Sequence, residues 1–252
     1  MIALTHVPSP QMQACERTYV PQSAIDSRRI AQEHAAYCRL LADCGVGVRT
    51  LDINGSMPDC AFIEDTAVVL DEVAILCSMG VASRRAEPQG IEPILREYRE
   101  VQRIELPATI EGGDVLRIGR TLLVGQSRRT NAAGIAALAA IASRFGYAVT
   151  SVPVRRALHL KTACTSLPDG RLLVNPTWID TAALCDDDLV RIPEAELWGA
   201  NVALVGTTVL MNVVHVATAE LVRSLGFDVR TTDLSEFAKA EGGVTCLSLL
   251  LS

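Results

Sequence analysis

Cys246, six residues from the end of the chain in EGGVTCLSLLLS, and His159, in LHLK, are the side chains best suited to nucleophilic and acid–base work. A thiol attacks an electrophilic carbon once its pKa is lowered or a nearby base takes its proton. Carboxylates accompany the pair: Asp59, Glu64 and Asp65 in PDCAFIED, and Glu111 and Asp114 in ATIEGGD. A carboxylate such as Glu111 would orient the imidazole and raise its pKa. Several anions around one reaction centre would repel a developing oxyanion, which argues against an ester or peptide substrate. They suit a planar guanidinium, whose N–H fork matches carboxylates two by two. The chemistry indicated is that of a cysteine hydrolase or transferase acting on a small cationic guanidino compound.

Singly, each residue has an ordinary structural explanation. A lone cysteine ahead of an apolar run is usually a small core residue, a histidine in LHLK a half-buried hydrogen-bonding one, a Glu-Asp pair a solvated one, and Gly-Gly-Asp a turn. Their placement in a repeat changes the reading. GVGVRTL from Gly45, GYAVTSV from Gly146 and GFDVRTT from Gly226 share a glycine, a Val three residues on and a Ser or Thr two further. Each glycine closes a helical pattern. Ile30, His34, Cys38 and Leu41 share a face before Gly45, an Ala-rich stretch capped by Thr130 or Asn131 precedes Gly146, and Leu221, Val222 and Leu225 precede Gly226. Glycine just past a helix accepts the left-handed conformation required there.

Hairpin signals fill the rest of each unit: TAVVLDEVAILCSMG from Thr66, DVLRIGRTLLVGQS from Asp114, ACTSLPDGRLLVNP from Ala163 and NVALVGTTVLMNVV from Asn201. VQRIELP from Val101 and LVRIPEA from Leu189 supply the remaining outer strands, and VTCLSLLL can pair with the N-terminal IAL to make a fifth hairpin. The expectation is a single α/β domain over residues 1–252: a five-bladed α/β propeller of ββαβ units with pseudo-five-fold symmetry, closed by joining its termini. An open mixed α/β sheet is the alternative. In such a ring the loops leading from each outer strand into the next hairpin share one end. Asp59, Glu64 and Asp65 fall in the first of these loops, Glu111 and Asp114 in the second, His159 in the third, Asn201 in the fourth and Cys246 in the fifth.

Hydrophobic residues make up 49% of the 252 and charged residues 21%, a globular balance able to bury a large core. A formal charge of −6, with no Lys/Arg cluster longer than a pair, excludes nucleic acid as a partner. No apolar stretch approaches the roughly 18–20 residues of a membrane span, and MIALTHVPSP lacks the features of a signal peptide. A cytoplasmic protein without a membrane partner is expected. Eight cysteines without a C-x-x-C pair read as reduced thiols, and no metal or cofactor is called for.

FIEDTAVV (62–69), SRR (83–85), EGGDVLRIG (111–119), VGQSRRTN (124–131), HLKT (159–162) and GGVTCLSL (242–249) resemble, in order and spacing, the dimethylarginine dimethylaminohydrolases. These belong to the guanidine-modifying, pentein-type superfamily of five-bladed propellers, with arginine deiminases and amidinotransferases. The resemblance implies hydrolysis of N-omega-methylated arginine to citrulline and methylamine or dimethylamine, with no cofactor. It implies that Cys246 forms a covalent thiouronium, that His159 protonates the departing amine and then activates water, and that Glu111 positions His159. Asp59 and Asp65, with Glu64 beside them, match the acids that hold the guanidinium, and Arg84 and Arg129 match the pair that clamps the substrate carboxylate. The lid segment QMQACERT (11–18) departs from the family, placing Glu16 or Arg17 where a leucine often stands, and ELWGAN (196–201) fits loosely. Arginine deiminase-like hydrolysis of arginine or another guanidino compound is the competing reaction, although those enzymes generally carry an inserted helical domain. Amidinotransferases are longer and need an acceptor amine. A catalytically silent guanidine-binding protein is the competing class, against which Cys246, His159 and Glu111 together speak. Whether the chain acts alone or as a homodimer is left open.

Overall fold

The computed structural model describes residues 1–184 and 188–251, so Cys185, one of the eight cysteines, lies outside the described residues. Fifteen short strands among them make five separate three-stranded sheets. β1 (Ile2–His6) and β2 (Gly47–Leu51) run parallel. The second sheet holds β3 (Ala67–Val69), β4 (Val73–Leu76) and β5 (Glu100–Arg103), and the third β6 (Val115–Ile118), β7 (Thr121–Gln126) and β8 (Ala148–Pro153). The fourth holds β9 (Cys164–Ser166), β10 (Leu172–Val174) and β11 (Leu189–Arg191), and the fifth β12 (Val202–Val205), β13 (Thr208–Asn212) and β14 (Asp228–Thr232). β15 (Leu249–Leu251) returns to pair antiparallel with β1, Ile2 facing Leu251. Every sheet is therefore an antiparallel hairpin with a third strand added in parallel, and the first takes its hairpin from the two ends of the chain.

Helices α1 (Ser27–Asp43), α2 (Glu87–Leu95), α3 (Ala132–Ala142), α4 (Leu160–Ala163), α5 (Val216–Ser224) and α6 (Ser235–Ala238) complete the elements. Asp26 caps α1 by accepting the Arg28 and Arg29 N–H groups at 2.9 and 3.0 Å, and Asn131 caps α3 through Gly134 N–H at 2.8 Å. The three repeat glycines take φ of +82°, +78° and +94° at Gly45, Gly146 and Gly226, the left-handed turn that lets each helix fold back into a parallel strand. α1, α2, α3 and α5 are the crossovers of four units. In the fourth unit the described residues between β10 and β11 form no α-helix, and a 3-10 turn, Thr181–Ala183, capped by Asp180, stands in place of the expected crossover helix. Pro176 and Asp180 interrupt NPTWIDTAAL before an apolar stripe of more than one turn can develop.

Strand alternation places the core between sheets. Along β4, Val73 and Ile75 pack towards Val115, Leu122 and Val124 of the third sheet, while Ala74 and Leu76 pack back on Leu4, Leu249 and Leu251 of the first. The same division recurs around the molecule, so five apolar clusters fill five junctions. The ring closes where Ala203, Val205 and Leu210 of the fifth sheet meet Ala3 and Tyr37. The first strands of the hairpins line an axial cavity of about 210 Å³, with Glu64 and Lys161 at the end from which those strands set out. No helix among the described residues is long and apolar enough to cross a membrane.

Candidate active site

Five residues precede the five axial strands at equivalent places: Asp65 before β3, Glu111 before β6, His159 before β9, Asn201 before β12 and Cys246 before β15. The loops expected to share one end do so. Cys246 lies in a turn rather than in the last strand, because its N–H donates to Gly243 O at 3.2 Å and its C=O accepts Glu64 N–H at 3.2 Å. The run VTCLSLLL therefore supplies only three residues to β15. Asn201 braces this turn, donating from Nδ2 to Lys161 O at 2.8 Å and to Thr245 Oγ1 at 3.0 Å.

Glu111, wholly buried, meets His159 Nε2 with Oε2 at 2.7 Å. Its Oε1 accepts the Gly80 N–H at 3.0 Å, and Arg129 Nη1 stands 3.4 Å from both oxygens. Burial opposes ionisation of Glu111, but the hydrogen bond and charge of His159 outweigh it and hold the carboxyl below its usual range. For His159, burial disfavours the imidazolium, yet Asp65, Glu111 and Asp114 overcome this and push its pKa up to about 9. The ring is then protonated near neutrality, with Nε2–H committed to Glu111. Nδ1, 3.7 Å from Asp65 Oδ1, is the nitrogen left to exchange a proton with a ligand.

The Gly-Gly-Asp turn sets this geometry. Gly113 N–H donates to Asp65 Oδ1 at 3.1 Å, and a Cβ at Gly113 would stand 2.7 Å from both Asp65 Oδ1 and His159 Nδ1. Asp114 accepts Leu160 N–H at 2.8 Å and Ser127 Oγ at 2.6 Å, fixing the residue after His159. Asp65 also pairs with Arg84 Nη1 at 2.6 Å. Burial works against its charge, but His159 and Arg84 prevail and hold its pKa at about 2. Cys246 is partly buried and its Sγ accepts Gly243 N–H at 3.4 Å; burial, then Glu64 and Asp65, push the thiol up to about 12.

A cavity of about 10 Å³ brings together Asp59, Asp65, Arg84, Arg129, His159 and Cys246, with Glu111 behind His159. Glu64 is not among its lining residues. Its carboxylate takes Lys161 Nζ at 2.5 Å and faces the axial cavity, so it reaches Cys246 through its charge. Arg84 commits four of its five N–H donors, to Glu87, Asp65 and the Phe62 carbonyl, which leaves one on Nη1 for a ligand. Arg129, by contrast, uses only Nη1 among the described side-chain contacts. Asp59 is raised to about 6 by burial and accepts the lid N–H of Glu16 at 3.2 Å. The Glu16 side chain takes Ser83 Oγ, and Arg17 holds Nε and Nη2 buried without partners. Gly80 and Glu241 also serve the site. Gly80 acts through its backbone, so its residue type gives no sign of it, and Glu241 is a lone acid between a helical turn and two glycines.

The family model described as N,N dimethylarginine dimethylhydrolase, eukaryotic, matches residues 11–182. The chain is 39% identical over 251 residues to an N(G),N(G)-dimethylarginine dimethylaminohydrolase of Streptomyces coelicolor, spanning 99% of this chain and 96% of that relative. A solved dimethylarginine dimethylaminohydrolase carrying an S-methyl-L-thiocitrulline adduct superposes with a TM-score of 0.92 at 31% identity, over 98% of both chains. The Pseudomonas aeruginosa enzyme, solved with citrulline, gives 0.90 at 30% identity over 98% of this chain and 97% of its own.

Proposed function

Because this chain belongs to the dimethylarginine dimethylaminohydrolase family, we propose that it hydrolyses N-omega-methylated arginine to citrulline and methylamine or dimethylamine, with Cys246 as nucleophile and His159 as acid and base. The observation that carries this reading is the buried 2.7 Å Glu111–His159 pair, whose imidazole shares one cavity with Cys246 and Asp65. Burial and the neighbouring carboxylates hold Cys246 as the thiol, while the same carboxylates keep His159 protonated, so the free site disfavours the thiolate. A guanidinium beside Asp65 and Asp59 supplies the positive charge the thiol lacks and favours the thiolate, whose proton passes to solvent. The binding of a cation thereby arms the nucleophile.

Cys246 Sγ then bonds to the guanidinium carbon. His159 Nδ1–H protonates the methylated nitrogen, and the C–N bond breaks to leave a thiouronium. The neutral imidazole next takes a proton from water as its oxygen adds to the same carbon. The C–S bond breaks, citrulline leaves and the sulfur regains a proton. Arg129, with Arg84 as a lesser partner, holds the substrate carboxylate. Glu64 tunes the thiol from the axial side and does not bind substrate. No step requires a cofactor, metal, nucleic acid or membrane surface. One propeller domain over residues 1–252 supplies every group, so a homodimer would carry two independent sites. The seven described cysteines are free thiols, which supports a cytoplasmic setting.

The cavity that holds Cys246 and His159, about 10 Å³, adjoins one of about 190 Å³ that Cys246 also lines. The test is citrulline release from asymmetric dimethylarginine, monomethylarginine and arginine assayed side by side. The proposal expects turnover of at least one methylated compound in preference to arginine. Preference for arginine would favour a deiminase, and no citrulline from any of them a silent binding protein.

A further inference from the structure

Asp114 is wholly buried, yet the reaction gives its carboxylate no direct part. It bridges two segments that carry functional side chains. Oδ1 accepts the Leu160 N–H at 2.8 Å, and the Thr162 N–H donates to His159 O at 3.2 Å. Both polar groups of the peptide that joins His159 to Leu160 are therefore held. Oδ2 accepts Ser127 Oγ at 2.6 Å. That hydroxyl in turn accepts the Arg129 N–H at 3.0 Å and the Thr130 N–H at 3.2 Å, and Thr130 Oγ1 accepts the Glu111 N–H at 3.2 Å. One carboxylate thus ties together the backbones of His159, of Arg129 and of Glu111.

Donor counting shows why a carboxylate stands there. A serine hydroxyl has one proton and two lone pairs. Both lone pairs of Ser127 Oγ are taken, so its proton needs an acceptor, and so does the Leu160 N–H. Two acceptor oxygens satisfy both, whereas an amide would set its NH₂ against one of them. Burial raises the Asp114 pKa to about 6, opposed first by the charge of His159 and then by its hydrogen bonds, so the group is ionised near neutrality. The strand beside it gives up a side chain to make room. Gly125 lies inside β7, where glycine weakens a strand and marks a close approach. A Cβ there would stand 2.4 Å from Asp114 Oδ1 and 2.8 Å from Leu160 Cβ.

We propose that Asp114 is a positioning residue that sets His159 through Leu160 and Arg129 through Ser127, so that one buried carboxylate places the reacting end and the recognition end of the site together; this rests on the methylarginine reading above. The two branches do separate work. The Leu160 branch aims the imidazole whose Nδ1 must meet the methylated nitrogen, and a misplacement of about 1 Å there costs about 100-fold in rate. The Ser127 branch fixes the backbone from which Arg129 reaches the substrate carboxylate, so it acts on affinity. The charge of Asp114 also joins those of Asp65 and Glu111 in favouring the imidazolium.

Asp114→Asn and Ser127→Ala test the two branches, by steady-state kinetics with N-omega-methylarginine and an NMR titration of the His159 ring. In Asp114→Asn the lost charge and the mispaired amide should lower kcat about 10- to 100-fold and bring the His159 pKa down by about one unit. Ser127→Ala keeps the carboxylate and its bond to Leu160 but takes the acceptor from Arg129 and Thr130. It should raise KM about 3- to 10-fold, with kcat within a few-fold and the His159 titration unmoved. An Asp114→Asn protein that loses only thermal stability, with kcat and the ring titration as in wild type, would overturn the assignment. So would a Ser127→Ala protein whose kcat falls as far as that of Asp114→Asn. Should Asp114→Asn not fold, Gly125→Ala displaces the same carboxylate with its charge intact, and an unchanged kcat there refutes the proposal. If the wild type released no citrulline from methylarginine, the methylarginine reading would fall. The ring titration in wild type and Asp114→Asn would still decide the role of Asp114: a lowered pKa supports it, and equal values refute it.

Discussion

Replacing Glu111 by Gln removes one charge from the buried pair and leaves its shape. The Gly80 N–H, 3.0 Å from Oε1, requires an oxygen there, so the new amide presents NH₂ to His159 Nε2. The imidazolium loses a charge-assisted hydrogen bond of about 1.5–3 kcal/mol, equivalent to about one to two pKa units. From about 9, His159 should fall to about 7–8. The sign follows from its role. The proton that the leaving amine needs is present below the pKa of His159 and is lost as pH rises through it. The alkaline limb of kcat should therefore move down by about one to two pH units, with the maximum rate reduced. Citrulline release at saturating methylarginine between pH 6 and pH 10, alongside an NMR titration of the His159 ring, measures both quantities. An alkaline limb unmoved in the variant would refute the claim that Glu111 holds the proton on His159.

Two further substitutions probe the site. Arg129→Ala should raise KM for methylarginine by about 10- to 100-fold with kcat little changed, as expected for loss of a charged hydrogen bond to the carboxylate; the same kinetics with an N-methylguanidine lacking a carboxylate should show no effect. Gly113→Ala would force a Cβ to 2.7 Å from His159 Nδ1 and Asp65 Oδ1, so kcat should fall at least about 100-fold while thermal denaturation reports a loss of about 1–3 kcal/mol.

Much of the fold was legible because its signals are local. The glycines at 45, 146 and 226 announce the same left-handed joint three times, and alternating strands state which side chains face which neighbour. Once the units were aligned, His159, Glu111, Asp65 and Cys246 fell at equivalent loop positions without any knowledge of their contacts. The rest depended on contacts between distant segments. Glu64 adjoins Asp65 in the chain but turns to Lys161, and no spacing rule reveals that partner. Arg84 matches a carboxylate clamp in the sequence, and nothing in its spacing shows that Glu87 and Asp65 occupy it. Gly80 contributes only a backbone N–H. Glu241 gains its meaning from Thr18, Tyr19 and Val20, more than 200 residues away. The fourth unit shows the limit of repeat logic, since its described residues, NPTWIDTAAL among them, form no α-helix between β10 and β11.

The most direct test of the central claim is mass spectrometry of the protein acid-quenched during steady turnover of methylarginine. The account predicts that the peptide containing Cys246 carries the mass of the substrate less its methylated amine, and that this adduct disappears as citrulline accumulates. Cys246→Ser should carry no such adduct and release citrulline at least about 10³-fold more slowly. Undiminished citrulline release by that variant would contradict the account.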